Sequence, residues 1–109
     1  MTVVDTSIVI ERYKKGEKIT ENIVEPTLIE FPPIILYRNF YGKVLVLERE
    51  DVLLAIELQR RLRAIGKPKP LADLLIAAIC INREEKLVTK DKNFLDIKQV
   101  SNLDVEIID

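Results

Sequence analysis

The chain has 109 residues, of which 48% are hydrophobic and 32% charged, a composition typical of one folded domain. Its net charge is −1, with one cysteine and no histidine, which excludes histidine-based metal sites, Ser-His-Asp triads, Cys-His pairs and an internal disulfide. We find no signal-peptide pattern and no apolar stretch of membrane-spanning length, so we expect a cytoplasmic protein that does not bind membranes.

The first half of the chain predicts a strand, an acidic turn and helical segments interrupted by prolines. Residues 2–4 form a β-rich run, and Asp5, Thr6 and Ser7 are residue types that cap the helix predicted to follow, which Gly16 ends. The remaining predictions are an extended or loop segment over 20–26, a helix starting at 27, a break at Pro32-Pro33, helix again over 34–40 and a buried strand over 44–47. Asp5 is therefore expected at the carboxyl end of the first strand.

The second half predicts two long helices, a short helical turn and two strands. Residues 51–65 have the clearest helical pattern, with an apolar stripe formed by Val52, Ala55, Ile56, Leu58, Leu62 and Ile65. Residues 71–82 predict a nearly wholly apolar central helix, and strands are predicted over 87–89 and 105–108 with a helical turn from Phe94 between them. Alternating strands and helices predict an α/β fold with a parallel sheet flanked by helices. Because ligands bind beyond the carboxyl ends of such strands, Asp5 and Asp91 are expected at one edge of the sheet.

The chain has 18 acidic residues, and most are interpreted as solvated surface, including Glu48, Glu50, Asp51, Glu84 and Glu85. Four others lie beside apolar segments or at predicted strand ends, where a charge is costly or functionally placed: Asp5, Glu30, Asp73 and Asp91. Ordinary structural roles remain open for three of them. Asp5 suits a helix N-cap, Asp73 suits the first turn of a helix slightly better than a metal site, and Asp91 suits a surface ion pair with the adjacent lysines.

Four carboxylates from separate segments that meet at one edge need positive charge between them. A hard divalent cation supplies it, since Mg²⁺ prefers a few carboxylates together with waters and phosphate oxygens. Two such ions, roughly 3.5–4 Å apart, activate a water and stabilise a leaving oxygen without any histidine. The pattern therefore favours metal-assisted phosphodiester hydrolysis.

Residues 3–10, 28–30, 72–78 and 88–94 resemble, in order, the four motifs of PIN-domain nucleases of the VapC-toxin type. The resemblance implies a single PIN-like domain over residues 1–109, with a parallel central sheet of about four to five strands. It implies an endoribonuclease that uses one or two Mg²⁺ or Mn²⁺ ions. Its catalytic, metal-binding residues would be Asp5, Glu30, Asp73 and Asp91.

The same resemblance carries further expectations. Thr89 matches a hydroxyl residue that orients ligands or a water. Asn93 stands where relatives often have another aspartate, so its amide would either support the metal ligands or coordinate a water. Besides the RNA substrate, a homodimer and a small inhibitory antitoxin are implied as partners. The segment between Glu30 and Asp51 leaves little room for the helical hairpin usual in the family.

Phosphate contacts are expected from basic groups near the acidic motifs, although each group is also consistent with a solvated face. The groups are Arg12, Lys14 and Lys15; Arg60, Arg61, Arg63, Lys67 and Lys69; and Lys90 with Lys92. Four aromatic residues suit base stacking: Tyr13, Tyr37, Phe40 and Tyr41. For the last three, helical spacing favours core or dimer packing instead. Two other functions are weighed against the nuclease: a PIN-like RNA-binding or RNA-processing scaffold without strong catalysis, and a receiver-like regulator phosphorylated on aspartate, which normally needs a longer chain.

Overall fold

The computed structural model describes residues 1–109 as five short strands, five α-helices and one 3-10 helix. In chain order these are β1 Thr2–Val4, α1 Thr6–Lys15, β2 Ile23–Val24, α2 Glu25–Glu30, a 3-10 helix Pro32–Leu36, β3 Val44–Leu45, α3 Arg49–Ala64, α4 Leu71–Asn82, β4 Lys86–Thr89, α5 Phe94–Gln99 and β5 Val105–Ile107. The predicted α/β fold is confirmed. No helix is both long and apolar enough to span a membrane.

The strands form one parallel sheet of three, β1-β4-β5, and one parallel pair, β2-β3. A parallel bridge between Val3 and Asn22 joins the two, and the backbone N–H of Val4 donates to the carbonyl of Asn22 at 3.1 Å. All five strands thus run in the same direction, in the order β3-β2-β1-β4-β5. Their carboxyl ends share one edge, which positions the residues that follow β1 and β4 side by side.

Both faces of this sheet are covered. Val3 belongs to the larger apolar cluster, with α3 and α4, whereas its neighbour Val4 belongs to a second cluster with α1. Successive residues of a strand point to opposite faces of the sheet, so two adjacent residues of β1 contribute to two different cores. Within α4, residues 76–80 are all buried, which confirms that this apolar helix is central.

The continuous helix predicted over residues 34–40 does not form. The 3-10 helix ends at Leu36, and Phe40 forms an isolated parallel β-bridge with Ile19. There the N–H of Ile19 donates to the carbonyl of Asn39 at 2.9 Å, and the N–H of Tyr41 donates to the carbonyl of Ile19 at 2.8 Å. These hydrogen bonds to a distant segment replace the helical ones that local spacing predicts.

The apolar stripe predicted for α3 is only partly in the core. Ala55, Leu58 and Leu62 are buried, but Ile56 is 62% exposed. Val52 and Ile65 are also exposed. Because α3 packs mainly against one helix, α4, the outer part of its stripe has no element above it. Val52 and Ile56 instead line an open groove of about 540 Å³ between the two helices.

Asp51 and Glu85 are buried, so their interpretation as solvated surface is wrong. Asp51 lies where the start of α3 meets the end of α4, and its Oδ1 accepts hydrogen bonds from Arg83 at 2.9 Å and Asn82 at 2.8 Å. Its Oδ2 accepts from the backbone N–H of Glu48 at 2.7 Å, which closes a capping box. Burial raises the pKa of Asp51, but the hydrogen bonds from Arg83 and Asn82 outweigh it and the pKa falls below its usual value.

Candidate metal and catalytic site

Asp5 caps α1 at the carboxyl end of β1 and is buried. Its Oδ1 accepts hydrogen bonds from the Ser7 hydroxyl at 2.9 Å and the Ile8 N–H at 3.3 Å, and its Oδ2 accepts from the Thr89 hydroxyl at 2.5 Å. The N-cap role is confirmed. An ionised carboxylate has about four acceptor positions, so these three bonds leave room for one further ligand on Oδ2, and capping does not preclude metal binding.

Thr89 connects the ends of two neighbouring strands. Its side chain is fully buried, and its hydroxyl donates to Asp5 and accepts a hydrogen bond from the backbone N–H of Asp91 at 3.0 Å. The hydroxyl therefore fixes both the Asp5 carboxylate and the backbone that carries Asp91. With its proton directed at Asp5, Thr89 is suited to orienting other groups.

Asp91 makes no ion pair, so the alternative of a surface ion pair with its lysine neighbours is wrong. Lys90 instead contacts Glu11 on α1 at 2.6 Å, and Lys92 forms no salt bridge. The Oδ1 of Asp91 accepts from the backbone N–H of Asn93 at 2.9 Å. Asp91 is thus held in a tight turn with its second oxygen available.

Asp73 lies in the first turn of α4, where Pro70 is the N-cap residue. Its environment raises the pKa of its carboxyl to about 6, first through burial and then through repulsion from Asp91, Glu30 and Asp5 in that order, while Lys69 opposes the rise. A first-turn position would by itself favour the anion. The charges of the other three acids therefore act together on Asp73.

Glu30 ends α2 and is exposed. Its Oε1 accepts a hydrogen bond from the Thr6 hydroxyl at 2.6 Å, and that hydroxyl lies 3.0 Å from the hydroxyl of Thr27, which is fully buried. This pair of threonines positions Glu30 beside the start of α1. Sequence reasoning treated Thr6 only as a capping residue and missed Thr27, because the two lie 21 residues apart and no local pattern joins them.

The four acids suit a divalent cation by chemistry and by charge. They offer only hard oxygen ligands, and the repulsion acting on Asp73 is the imbalance that a cation would relieve. No group of three acidic side chains is arranged to hold one ion as the structure stands. Mg²⁺ is commonly held by one or two carboxylates together with waters and substrate phosphates. The open arrangement of these acids therefore suits Mg²⁺ or Mn²⁺, and it does not resemble a site in which the protein supplies every ligand.

Most of the predicted basic groups are neutralised by neighbouring acids. Nine of the 17 lysines and arginines form ion pairs. Of the predicted phosphate-binding residues, only Lys14, Arg63 and Lys92 are without an ion pair. Among the aromatic residues, Tyr13 packs against Phe31 and Tyr37, with centroid distances of 5.0 Å.

The fold and the acidic edge define an α/β protein with a carboxylate site beyond parallel strands. Residues 33–100 match the family model of the PIN domain, and the chain therefore belongs to the PIN domain family. That range includes Asp73, Thr89 and Asp91, whereas Asp5 and Glu30 precede it. No curated protein matches the sequence.

Several solved structures contain chains of the same fold. A chain of VapBC2 from Rickettsia felis, bound to a DNA fragment from its promoter, has a TM-score of 0.73 at 20% identity, with 100% of each chain covered. A chain of FitAcB from Neisseria gonorrhoeae has a TM-score of 0.74 at 17% identity, with 96% of each chain covered. A chain of a toxin-antitoxin complex from Klebsiella pneumoniae has a TM-score of 0.65 at 15% identity, with 86% of this chain and 90% of the other covered.

Proposed function

We propose that the protein is a Mg²⁺- or Mn²⁺-dependent endoribonuclease that hydrolyses RNA phosphodiester bonds. The supporting observation is the convergence of Asp5, Glu30, Asp73 and Asp91 from four separate segments at the carboxyl edge of the sheet. One or two ions held there would lower the pKa of a bound water and neutralise phosphate charge. The absence of histidine leaves no side-chain base of the usual kind to replace that chemistry.

The roles of the individual residues follow from their hydrogen bonds. Asp5 keeps one acceptor position for a metal, because Ser7, Ile8 and Thr89 occupy the others. Asp73 is free of such bonds, so both of its oxygens are available. Thr89 keeps the Asp5 carboxylate in a fixed orientation relative to Asp91.

We also propose that the protein is the toxin of a toxin-antitoxin pair, inhibited by a small antitoxin, and that it is a homodimer. The similarity to chains of VapBC2 and of the Klebsiella toxin-antitoxin complex supports the assignment as a toxin. Sedimentation equilibrium should give twice the chain mass of 12.6 kDa. Expression of the chain alone should arrest growth, and co-expression of its antitoxin should relieve the arrest.

The nuclease activity is tested with single-stranded RNA in the presence of Mg²⁺ or Mn²⁺. We expect the wild type to cut, and Asp5→Asn or Asp73→Asn to reduce cleavage by at least about a hundredfold, because each removes a charged metal ligand. The control is Asp104→Asn, the same change at an exposed acid before β5, at the opposite edge of the sheet. Cleavage by both site variants at the wild-type rate would show that the assigned residues are wrong.

Metal binding separates the nuclease from an RNA-binding scaffold. Calorimetric titration of the folded protein with Mn²⁺ should show binding that Asp73→Asn weakens and Asp104→Asn does not. A folded protein that binds RNA but no divalent cation would instead be a scaffold.

A further inference from the structure

Lys69 and Asp96 form an ion pair between the two segments that carry Asp73 and Asp91. The Lys69 Nζ lies 2.6 Å from the Asp96 Oδ2, and the Lys69 side chain is only 9% exposed. Lys69 lies in the loop before α4, four residues before Asp73, and Asp96 lies in the first turn of α5, five residues after Asp91. The pair therefore ties the loop before α4 to the first turn of α5.

The backbone of Lys69 is fixed separately by α3. The Gln59 side-chain amide donates to the carbonyl of Lys69 at 2.8 Å and accepts from its N–H at 3.0 Å. Lys69 is thus held at its main chain by one helix and at its ammonium group by another. Lys67 also contacts Asp96, at 3.4 Å, but its side chain is 49% exposed.

Stability alone gives little reason to bury this ammonium group. Exposed ion pairs contribute about 0–1 kcal/mol, and burying one charge of a pair adds a desolvation cost. The two segments it joins, however, carry carboxylates that repel each other until a cation lies between them. A fixed link is what would keep these segments from separating.

We propose that Lys69 and Asp96 are positioning residues, whose ion pair holds Asp73 and Asp91 at the separation needed to share a divalent cation. This inference rests on the proposed metal-dependent function. Neither residue is expected to touch the metal or the RNA, so both act only through the segments that they connect.

Because Lys69 and Asp96 have opposite charges, substituting each in turn distinguishes a positioning role from a purely electrostatic effect on the site. Lys69→Gln removes a positive charge near the site and Asp96→Asn removes a negative one. If the pair acted only through its field, the first change would strengthen Mn²⁺ binding and the second would weaken it. If the pair positions the acids, both changes weaken binding by about tenfold, which is typical for outer-shell partners of metal ligands.

The experiment is calorimetric titration of the full chain with Mn²⁺. Lys69→Arg keeps the pair and should stay within about threefold of the wild type, and the double change Lys69→Gln with Asp96→Asn should equal either single change. Lys67→Gln is the matched control, because it removes the exposed contact to the same acid. In RNA cleavage with varied RNA and fixed, subsaturating Mn²⁺, kcat should fall in both pair-breaking variants, while KM for RNA stays unchanged.

Thermal melts confirm that each variant is folded. Opposite shifts of Mn²⁺ affinity in Lys69→Gln and Asp96→Asn, or no shift in either, would overturn the positioning role while the wild type still binds metal. A wild type that binds no Mn²⁺ would overturn the proposed function itself, and with it this inference.

Discussion

Asp73 is held in surroundings that favour its neutral form. The pKa of its carboxyl is about 6 in the folded protein, against an ordinary value near 3.9 in an unfolded chain. Between these two values the folded state binds the extra proton, so folding stability falls as the pH rises from about 4 to about 6. The metal-free protein therefore bears an unfavourable charge at neutral pH.

Asp73→Asn should consequently stabilise the metal-free protein, although it is expected to reduce the proposed metal-dependent cleavage. At pH 7 we expect the free energy of unfolding to increase by on the order of 1 kcal/mol, or Tm to rise by a few degrees, after allowance for the partial exposure of the Asp73 carboxyl. The gain should vanish below about pH 4, where the wild-type carboxyl is protonated in both states. Melting curves in a chelator across this pH range provide the measurement, and an Asn variant less stable than wild type at pH 7 would contradict the account.

From the sequence, Asp5 and Asp91 were selected because each follows a predicted strand, and Glu30 and Asp73 because each lies beside an apolar segment. Asp5 follows a strand and begins a helix, and Asp91 follows β4. Their supporting contacts could not be predicted in the same way. Thr27 lies 21 residues from Thr6, and Lys69 lies 27 residues from Asp96, so only the folded chain shows these pairs.

At the scale of whole elements, Asp51 links the beginning of α3 to the end of α4. The contact with Arg83 spans 32 residues, and the carboxylate is fully buried. Local sequence shows only an acid in an acidic first turn, which is why the residue was interpreted as surface. The burial arises from helix packing, which a charge pattern alone does not encode.

Asp51→Ala should strongly destabilise the protein. It leaves Arg83 and Asn82 without their acceptor and removes the capping bond to Glu48, so we expect a loss of roughly 3–5 kcal/mol in the free energy of unfolding. Glu50→Ala, one residue earlier and exposed, should change it by less than about 0.5 kcal/mol. Urea denaturation of both variants measures the difference, and equal stabilities would contradict the assigned role of Asp51.

For the whole molecule, strand order was predictable only in part. Alternation of strands and helices correctly indicated a parallel sheet, because parallel strands need a long crossover connection, which is usually a helix. The division of the strands into a three-stranded sheet and a separate pair was not predictable, since β2 and β3 have only two residues each. The β-bridge between Phe40 and Ile19 likewise depends on a partner 21 residues away.

The distribution of charge over the molecule predicts how RNA binding depends on salt. The chain has a net charge of −1 and nine of its 17 cations are paired, so of the predicted phosphate-binding residues only Lys14, Arg63 and Lys92 remain to release counterions. For two or three phosphate contacts, the slope of log K against log salt should be only about −1.4 to −2.1. This modest slope distinguishes the protein from one that binds RNA by a broad basic surface.

Lys92 is the unpaired cation next to Asp91 in sequence, and it is expected to supply one of these contacts. Lys92→Gln should lower the magnitude of the slope by about 0.7 and weaken binding equally for different RNA sequences. The matched control is Lys98→Gln on α5, an exposed lysine that also lacks an ion pair and should leave the slope unchanged. Fluorescence anisotropy with single-stranded RNA, in the cleavage-deficient Asp73→Asn background, gives both values. Identical slopes for the two lysine variants would remove Lys92 from the RNA-binding surface, without affecting the assignment of the acidic site.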